Sequence, residues 1–317
     1  MDKIDVAVIQ TGGTISSTGQ IASPNKTKAS QIEVKTIEIF ASLGLTCHIF
    51  YPFAPNIYDS SNISPKEWQM LKEQICELQK KGISKFLVLH GTDTMCYTAS
   101  ALFLALDSCT VVFTGSQRTL NDDDFDGFSN ICLAAEFLAN GASAQIGVYV
   151  AFAGNIIPAP FCHKQNASDL MAFCDTRSNG KETKIAFPCA NLDLSKANLD
   201  DVEIIRLNPI SMPRIEEIKD KKKYFLIFGF GSGNMSCHFR KILVHAFKNI
   251  PNAAKPVIIA ASTCEVGFKS PTLYETGIAG LSEDGFSVFS QGQFSEEFII
   301  TLASLSNQIN ILQILRL

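Results

Sequence analysis

Apolar residues in this chain fall in short runs separated by polar turns, and the runs alternate with stretches of three-to-four spacing. Ile4-Asp-Val-Ala-Val-Ile9 reads as a buried strand of a parallel sheet, and Thr11-Gly12-Gly13-Thr14 follows it at once. Ser64, Pro65 and Glu67 form a capping box with proline at the first helical position. Trp68, Leu71, Ile75 and Leu78 then place one apolar stripe on that helix. Lys85 to His90 is the next strand, Met95 to Leu106 a helix, and Thr110 to Phe113 a strand. A helix near Ser129 to Ala139 and a strand from Gln145 to Val150 continue the alternation. The pattern predicts an α/β fold whose parallel sheet offers ligands the carboxyl ends of its strands.

Between Asp175 and Arg214 the pattern weakens into polar, proline-bearing sequence. A second alternation follows, with strands at Tyr224 to Phe228 and Pro256 to Ala260, and helices at Ser236 to Phe247 and Ser295 to Ser304. The expected organisation is a catalytic N-terminal α/β domain over 1–190, a linker over 191–213 and a C-terminal α/β domain over 214–317. The first would hold a doubly wound, mainly parallel sheet, and the second would be smaller.

Composition agrees with two packed domains. The chain has 317 residues, 46% hydrophobic and 18% charged, which excludes a disordered or fibrous protein. A net charge of −4 gives no general grip on nucleic acid or an anionic membrane. The ten cysteines are scattered without a CxxC pair, and most sit in apolar or helical stretches, as expected of free thiols in a reduced, cytoplasmic protein. The first residues lack a charged-then-apolar leader, and no apolar run is long enough to cross a bilayer.

Chemistry is sought first at the strand ends. Taken alone, Thr11 to Thr14 fits an ordinary βα turn as well as a presented threonine. His90-Gly91-Thr92-Asp93-Thr94 brings together a hydroxyl, a carboxylate and a glycine, although Asp93 could equally cap the helix from Met95. Asp59-Ser60-Ser61 could be polar loop. The sequence lacks the GxxxxGK[ST] of a P-loop and the GxSxG of a serine hydrolase, and Gly229-Phe-Gly231-Ser-Gly233 is not spaced for a dinucleotide. Asp122 to Asp124 with Asp126 lack an EF-hand's glycine and distal glutamate, and Cys162-His163 lack partners for zinc. No metal site is expected.

Taken together, Thr-Gly-Gly-Thr-Ile and His-Gly-Thr-Asp-Thr-Met resemble the paired signatures of the bacterial-type L-asparaginase family. Asp59-Ser60-Ser61, Tyr97-Thr-Ala-Ser-Ala, Thr114-Gly-Ser-Gln117 and Asp126-Gly127 look like its cytoplasmic type I branch. The likeness is dense from about Val6 to Leu133, returns at Lys164, and is looser from Gly229 to Gly277. It implies hydrolysis of L-asparagine to L-aspartate and ammonia without metal or organic cofactor, in a homodimer or homotetramer whose active sites are completed by the partner protomer. By position, Thr14 matches the nucleophile, and Thr92, Asp93 and Lys164 match a hydrogen-bonded second set. Asp59, Ser60, Ser61, Ser116 and Asn234 match substrate-binding positions, with Gln117 nearby.

A threonine hydroxyl is a poor nucleophile at neutral pH, so it needs a base or a polarised hydrogen bond. Lys164 could be that base if its pKa were lowered, or act as a fixed charge; as a sequence position it is otherwise a solvated loop lysine. One departure stands out. Many members carry a tyrosine about ten residues after the nucleophile, but the loop here, Ser16 to Ser23, has none, and Gln20 takes its place. Type I relatives carry a C-terminal tyrosine seven residues after a glycine, and by that resemblance Tyr274, seven residues after Gly267, is the expected replacement. The rival readings are an asparagine- or aspartate-binding protein with weakened catalysis, and a related amidase, glutaminase-like or supplying ammonia for transfer-RNA amidation. The last carries a further N-terminal domain, for which a first strand beginning at residue 4 leaves little room.

Overall fold

The computed structural model describes residues 5–18, 23–24, 26–56, 58–140, 146–177, 191–219, 221–264, 266 and 271–315. The chain divides into two compact units, Met1–Asp175 with Phe187–Lys196, and Thr176–Ala186 with Ala197–Leu317. It is an α/β protein with a larger N-terminal unit, doubly wound about a mainly parallel sheet, and a smaller C-terminal α/β unit.

In chain order the first unit holds β1 (Val6–Gln10), the short pair β2 (Ser17–Thr18) and β3 (Ser23–Pro24), α1 (Lys26–Ser42) and β4 (Cys47–Phe50). Then come α2 (Pro65–Lys80), β5 (Lys85–Leu89), α3 (Met95–Ala105), β6 (Thr110–Thr114), α4 (Gly127–Asn140), β7 (Gly147–Phe152), β8 (Asn155–Pro158), β9 (Cys162–Lys164) and β10 (Phe173–Asp175). The main sheet is ordered β4-β1-β5-β6-β7-β8, parallel except for β8. Val6 to Ile9 and Phe86 to Leu89 are wholly buried because helices cover both faces, which is why these strands read as unbroken apolar runs.

Local chemistry explains the helices that matter. The Ser64 backbone N–H donates to Glu67 Oε2 at 3.0 Å, and Pro65 starts α2 where no N–H is needed. Leu71, Ile75 and Leu78 are buried on its apolar stripe, each contributing about 1.5–3 kcal/mol. The 3₁₀ turn Leu194–Lys196 belongs to this unit, with the Leu194 N–H held by Gln69 Oε1 at 2.9 Å.

The second unit runs β11 (Val202–Arg206), α5 (Ile215–Ile218), β12 (Tyr224–Gly229), α6 (Cys237–Ala246), β13 (Val257–Ser262), β14 (Val288–Ser290), α7 (Glu296–Ser304) and α8 (Ile311–Ile314). Its sheet is parallel and ordered β11-β12-β13-β14. Residues 191–213, expected as connection, thus include a strand. Val202 and Ile205 of β11 are buried while Arg206 is exposed, an edge strand too short and too polar to stand out in the sequence.

Candidate active site

The order of the main sheet reverses beside β1, since the chain goes from β1 outward to β4 and returns to β5 on the other side. Such a switch point opens a crevice at the carboxyl ends of the two strands. The turns that follow these strands are Thr11–Thr14 and His90–Asp93.

Glycine lets the two turns touch. Gly12 and Gly13 have φ of 122° and 90°, a region disfavoured for other residues. A Cβ on Gly13 would lie 2.3 Å from the Gly91 Cα, and one on Gly12 would lie 2.2 Å from the Tyr58 carbonyl oxygen. The Thr11 hydroxyl donates to the Leu89 carbonyl at 2.8 Å, and the Gly13 N–H to the Tyr58 carbonyl at 2.9 Å. Thr14 then opens a 3₁₀ turn, Thr14–Ser16, and is half-buried. The Ser17 hydroxyl reaches back to the Gly13 carbonyl at 2.8 Å, and Gln10 Nε2 donates to Ser16 Oγ at 2.9 Å, so the turn is held from both sides.

On the second turn the residues gather into a network. Lys164 Nζ donates to Thr92 Oγ1 at 2.8 Å and to Asp93 Oδ1 at 2.7 Å. Its side chain is 15% exposed, against 67% for Asp93, so Lys164 is not the solvated lysine its neighbours in sequence imply. The cause is the β9–β10 hairpin, in which Lys164 pairs with Phe173 and lies close to α3. Cys162 and Cys96 pack sulfur to sulfur at 3.6 Å behind it. The Thr92 hydroxyl donates to Gln117 Oε1 at 3.0 Å. Asp93 does not cap α3; its N-cap is Thr94, whose hydroxyl donates to the Ser60 carbonyl at 2.7 Å.

The Asp59 group is tied to this network through Ser60. Asp59 caps a 3₁₀ turn, Ser60–Asn62, accepting from the Ser61 N–H at 2.9 Å and the Ser61 hydroxyl at 2.6 Å. Ser60 is buried, and its Oγ is 2.6 Å from the place a Gly91 Cβ would take. Ser116 is buried as well, but its hydroxyl donates to the Arg118 carbonyl at 2.7 Å, a turn-stabilising bond.

Three further residues contribute: Gln117, expected near the substrate positions, and Asp126 and His90, for which no role at the site is expected from sequence. Gln117 Oε1 accepts from the Thr92 hydroxyl, and the Gln117 backbone N–H donates to both oxygens of Asp126 at 3.0 and 3.1 Å. Asp126 is thus a cap for the turn after β6 rather than a loose acidic loop residue, and Asn130 Nδ2 holds it at 3.0 Å. His90 is wholly buried, and burial pushes its imidazole down to about 4, with the bond to Gly91 opposing the shift. A histidine closing an apolar strand was the available signal, since it must be buried there with the strand.

Asn234 and Tyr274 belong to the second unit. Asn234 exchanges backbone hydrogen bonds with Phe230 at 2.8 Å each way, and Tyr274 is 58% exposed. Gln20 and Gly267 lie outside the described residues. Among the described residues there is no group of three or more His, Cys, Asp or Glu suited to a metal ion, and no helix long and apolar enough to cross a membrane.

Comparison with known proteins bears on this arrangement. The family described as "Asparaginase, N-terminal" matches residues 5–185. A glutamyl-tRNA(Gln) amidotransferase component from Haloquadratum walsbyi is 36% identical over 147 residues, 46% of this chain and 32% of that relative. The protein of the same name from Nanoarchaeum equitans is 25% identical over 328 residues, 96% of this chain and 79% of its own length. L-asparaginase 1 of Escherichia coli K12 is 34% identical over 146 residues, 44% of this chain and 42% of that one. The stronger identities therefore span less than half of either partner. A solved probable cytoplasmic L-asparaginase from Campylobacter jejuni superposes with a TM-score of 0.74 at 21% identity, covering 99% of this chain and 98% of that one.

Proposed function

Since the chain belongs to the asparaginase family, we propose that it is a type I-like L-asparagine amidohydrolase. The observation that carries this reading is the Lys164–Thr92–Asp93 set, at 2.8 and 2.7 Å, gathered at the switch point beside the Thr14 turn. In the proposed reaction the Thr14 hydroxyl attacks the side-chain amide carbon, and its proton passes to the departing nitrogen. The C–N bond breaks, ammonia leaves, and an ester to Thr14 remains. Water then cleaves the ester, returning the hydroxyl and releasing L-aspartate. Lys164 donates to Thr92 and Asp93 together, which favours the fixed-charge role: the ammonium polarises the Thr92 hydroxyl and stabilises negative charge on the reacting carbonyl.

Asp59, Ser60, Ser61 and Ser116 are assigned to the substrate's α-ammonium and α-carboxylate, groups that call for one acid and several donors. Asn234 and Tyr274 are assigned to the site of a second copy of the chain, with the Tyr274 phenol standing in for the tyrosine absent between Ser16 and Ser23. Its exposure leaves it available for that contact.

An assay of ammonia release from L-asparagine, run beside Thr14→Ala, tests the reading. Release above that control is expected; equal rates from the two folded proteins would overturn it. A second reading follows from the amidotransferase relatives, that the physiological amide is glutamine. One methylene is worth about 1–3 kcal/mol in such a pocket, so kcat/KM for the two amides decides between them. Tight aspartate binding without turnover, measured by calorimetry, would instead point to a binding protein.

A further inference from the structure

We infer that His90 is a positioning residue that fixes the Gly91–Thr92 peptide, and with it the Thr92 hydroxyl, through a neutral imidazole of defined tautomer. The inference deepens the reading above and rests on it, because it matters to turnover only if Thr92 serves the reaction.

The argument starts from which ring nitrogen holds the proton. His90 Nδ1 is 2.7 Å from the Gly91 carbonyl oxygen. A carbonyl can only accept, so Nδ1 carries the hydrogen. Nε2 must then be the bare nitrogen if the ring is neutral, and among the described residues it is buried without a hydrogen-bond partner. A charged imidazolium would put a second, unsatisfied N–H and a positive charge at that buried position, which is costly. The Phe113 ring meets the imidazole edge to face at 5.7 Å between centroids, an apolar neighbour that discourages charge further.

The bond's location gives it consequence. Gly91 has no side chain to restrain its peptide, and cannot have one: a Cβ would strike Ser60 Oγ at 2.6 Å. The close packing that brings the two turns together therefore leaves the Gly91–Thr92 peptide without side-chain support. His90 supplies it from the same strand end. Its own backbone is anchored by the N–H bond to the Thr114 carbonyl at 2.8 Å. On the far side of that peptide, Thr92 must meet Lys164 at 2.8 Å and Gln117 at 3.0 Å simultaneously. Small rotations of the peptide would break one bond to keep the other, and small misplacements of a reacting group are expensive in rate.

The test uses three substitutions. The amide nitrogen of Asn overlays Nδ1, that of Gln overlays Nε2, and Phe keeps the ring shape with no donor. In folded protein, His90→Phe should lower kcat for asparagine about tenfold with KM within about twofold, because a neutral hydrogen bond and its unsatisfied carbonyl are lost while the substrate pocket stays. His90→Asn should recover most of kcat and His90→Gln should not. In parallel, imidazole ¹⁵N spectra of wild type, with His90 assigned by its loss in His90→Asn, should show protonated Nδ1 and bare Nε2 from about pH 5.5 to 8. Unchanged kcat in His90→Phe, equal rescue by Gln, or an Nε2–H tautomer would each overturn the inference. A wild type that fails to hydrolyse asparagine but shows the Nδ1–H tautomer would overturn the asparaginase reading and leave the His90–Gly91 bond standing.

Discussion

The two sheets of this protein are built from the same kind of strand, yet their carboxyl ends are used differently. In the first, the order β4-β1-β5-β6-β7-β8 reverses beside β1, and the turns after β1 and β5 meet through Gly13 and Gly91. In the second, β11 to β14 lie in chain order, and the ends of β12 and β13 close on each other. There Ser262 Oγ donates to the Gly231 carbonyl, the Thr263 hydroxyl to the Gly229 carbonyl at 3.1 Å, and Gln291 Oε1 accepts from the Ser262 N–H at 3.1 Å. At the first sheet's ends the Thr11, Thr94 and Ser116 hydroxyls also satisfy backbone carbonyls, but the Thr92 hydroxyl meets two side chains, donating to Gln117 and accepting from Lys164. Those at the second sheet's ends satisfy backbone. Strand order, more than strand composition, separates the proposed site from packing.

Substitutions can break this comparison, and the largest effect is expected at Lys164. Lys164→Met removes the donor shared by Thr92 and Asp93, and kcat for ammonia release should fall about a thousandfold while the circular dichroism spectrum is unchanged. Retained activity would mean that the network is structural. Tyr274→Phe comes next, with turnover expected to drop about a hundredfold in a folded protein if its phenol serves a second copy's Thr14. Near-normal turnover would return Tyr274 to the packing side of the comparison.

Gly13→Ala probes the close approach of the two turns. With φ at 90° and the Gly91 Cα 2.3 Å from the new methyl, stability should fall by about 1–3 kcal/mol in urea melts, and activity should fall further than stability explains. The pH dependence of stability offers a subtler test. An unfolded histidine titrates near 6.5 and His90 in the fold near 4, so between these values the unfolded chain holds the extra proton. The contribution is complete above about pH 6.5 and is lost as pH falls toward 4, about 3 kcal/mol in all. Urea midpoints should follow that slope in wild type and flatten in His90→Asn. At the second sheet, Ser262→Ala should cost about 1 kcal/mol with kcat unaltered. A loss of kcat there would dissolve the distinction between the two sheets.

Much of the scaffold was legible because burial on both faces leaves an unmistakable trace. Val6 to Ile9, Phe86 to Leu89 and Val111 to Phe113 are apolar without interruption, and the capping box at Ser64 marks the start of α2 to the residue. Helix α1 and strand β4 were harder to see. Lys26 to Ser42 mixes lysines, glutamates and β-branched residues, and among its described side chains Ile32, Ile39 and Phe40 join the core; Cys47 to Phe50 is an edge strand with one buried residue. The same limit applied to β11 within 191–213. At the site, Thr92, Asp93 and Lys164 were named from their resemblance to known signatures, but their sequence separation of 71 and 72 residues carries no spacing rule. The roles of Gln117 and Asp126 depend on how the turn after β6 folds back, which a short-range pattern does not encode.

The sequence by itself determined that this is an α/β protein with parallel strands, where its glycine turns fall, and which hydroxyls and carboxylates follow strand ends. Those are local facts, set by apolar periodicity, turn chemistry and capping. Tertiary structure decided that the β1 and β5 turns adjoin, that Lys164 is shielded and shared between Thr92 and Asp93, and that His90 is neutral with its proton on Nδ1. Each of these arises from contact between segments distant in the chain or from burial, and burial is a property of the packed fold.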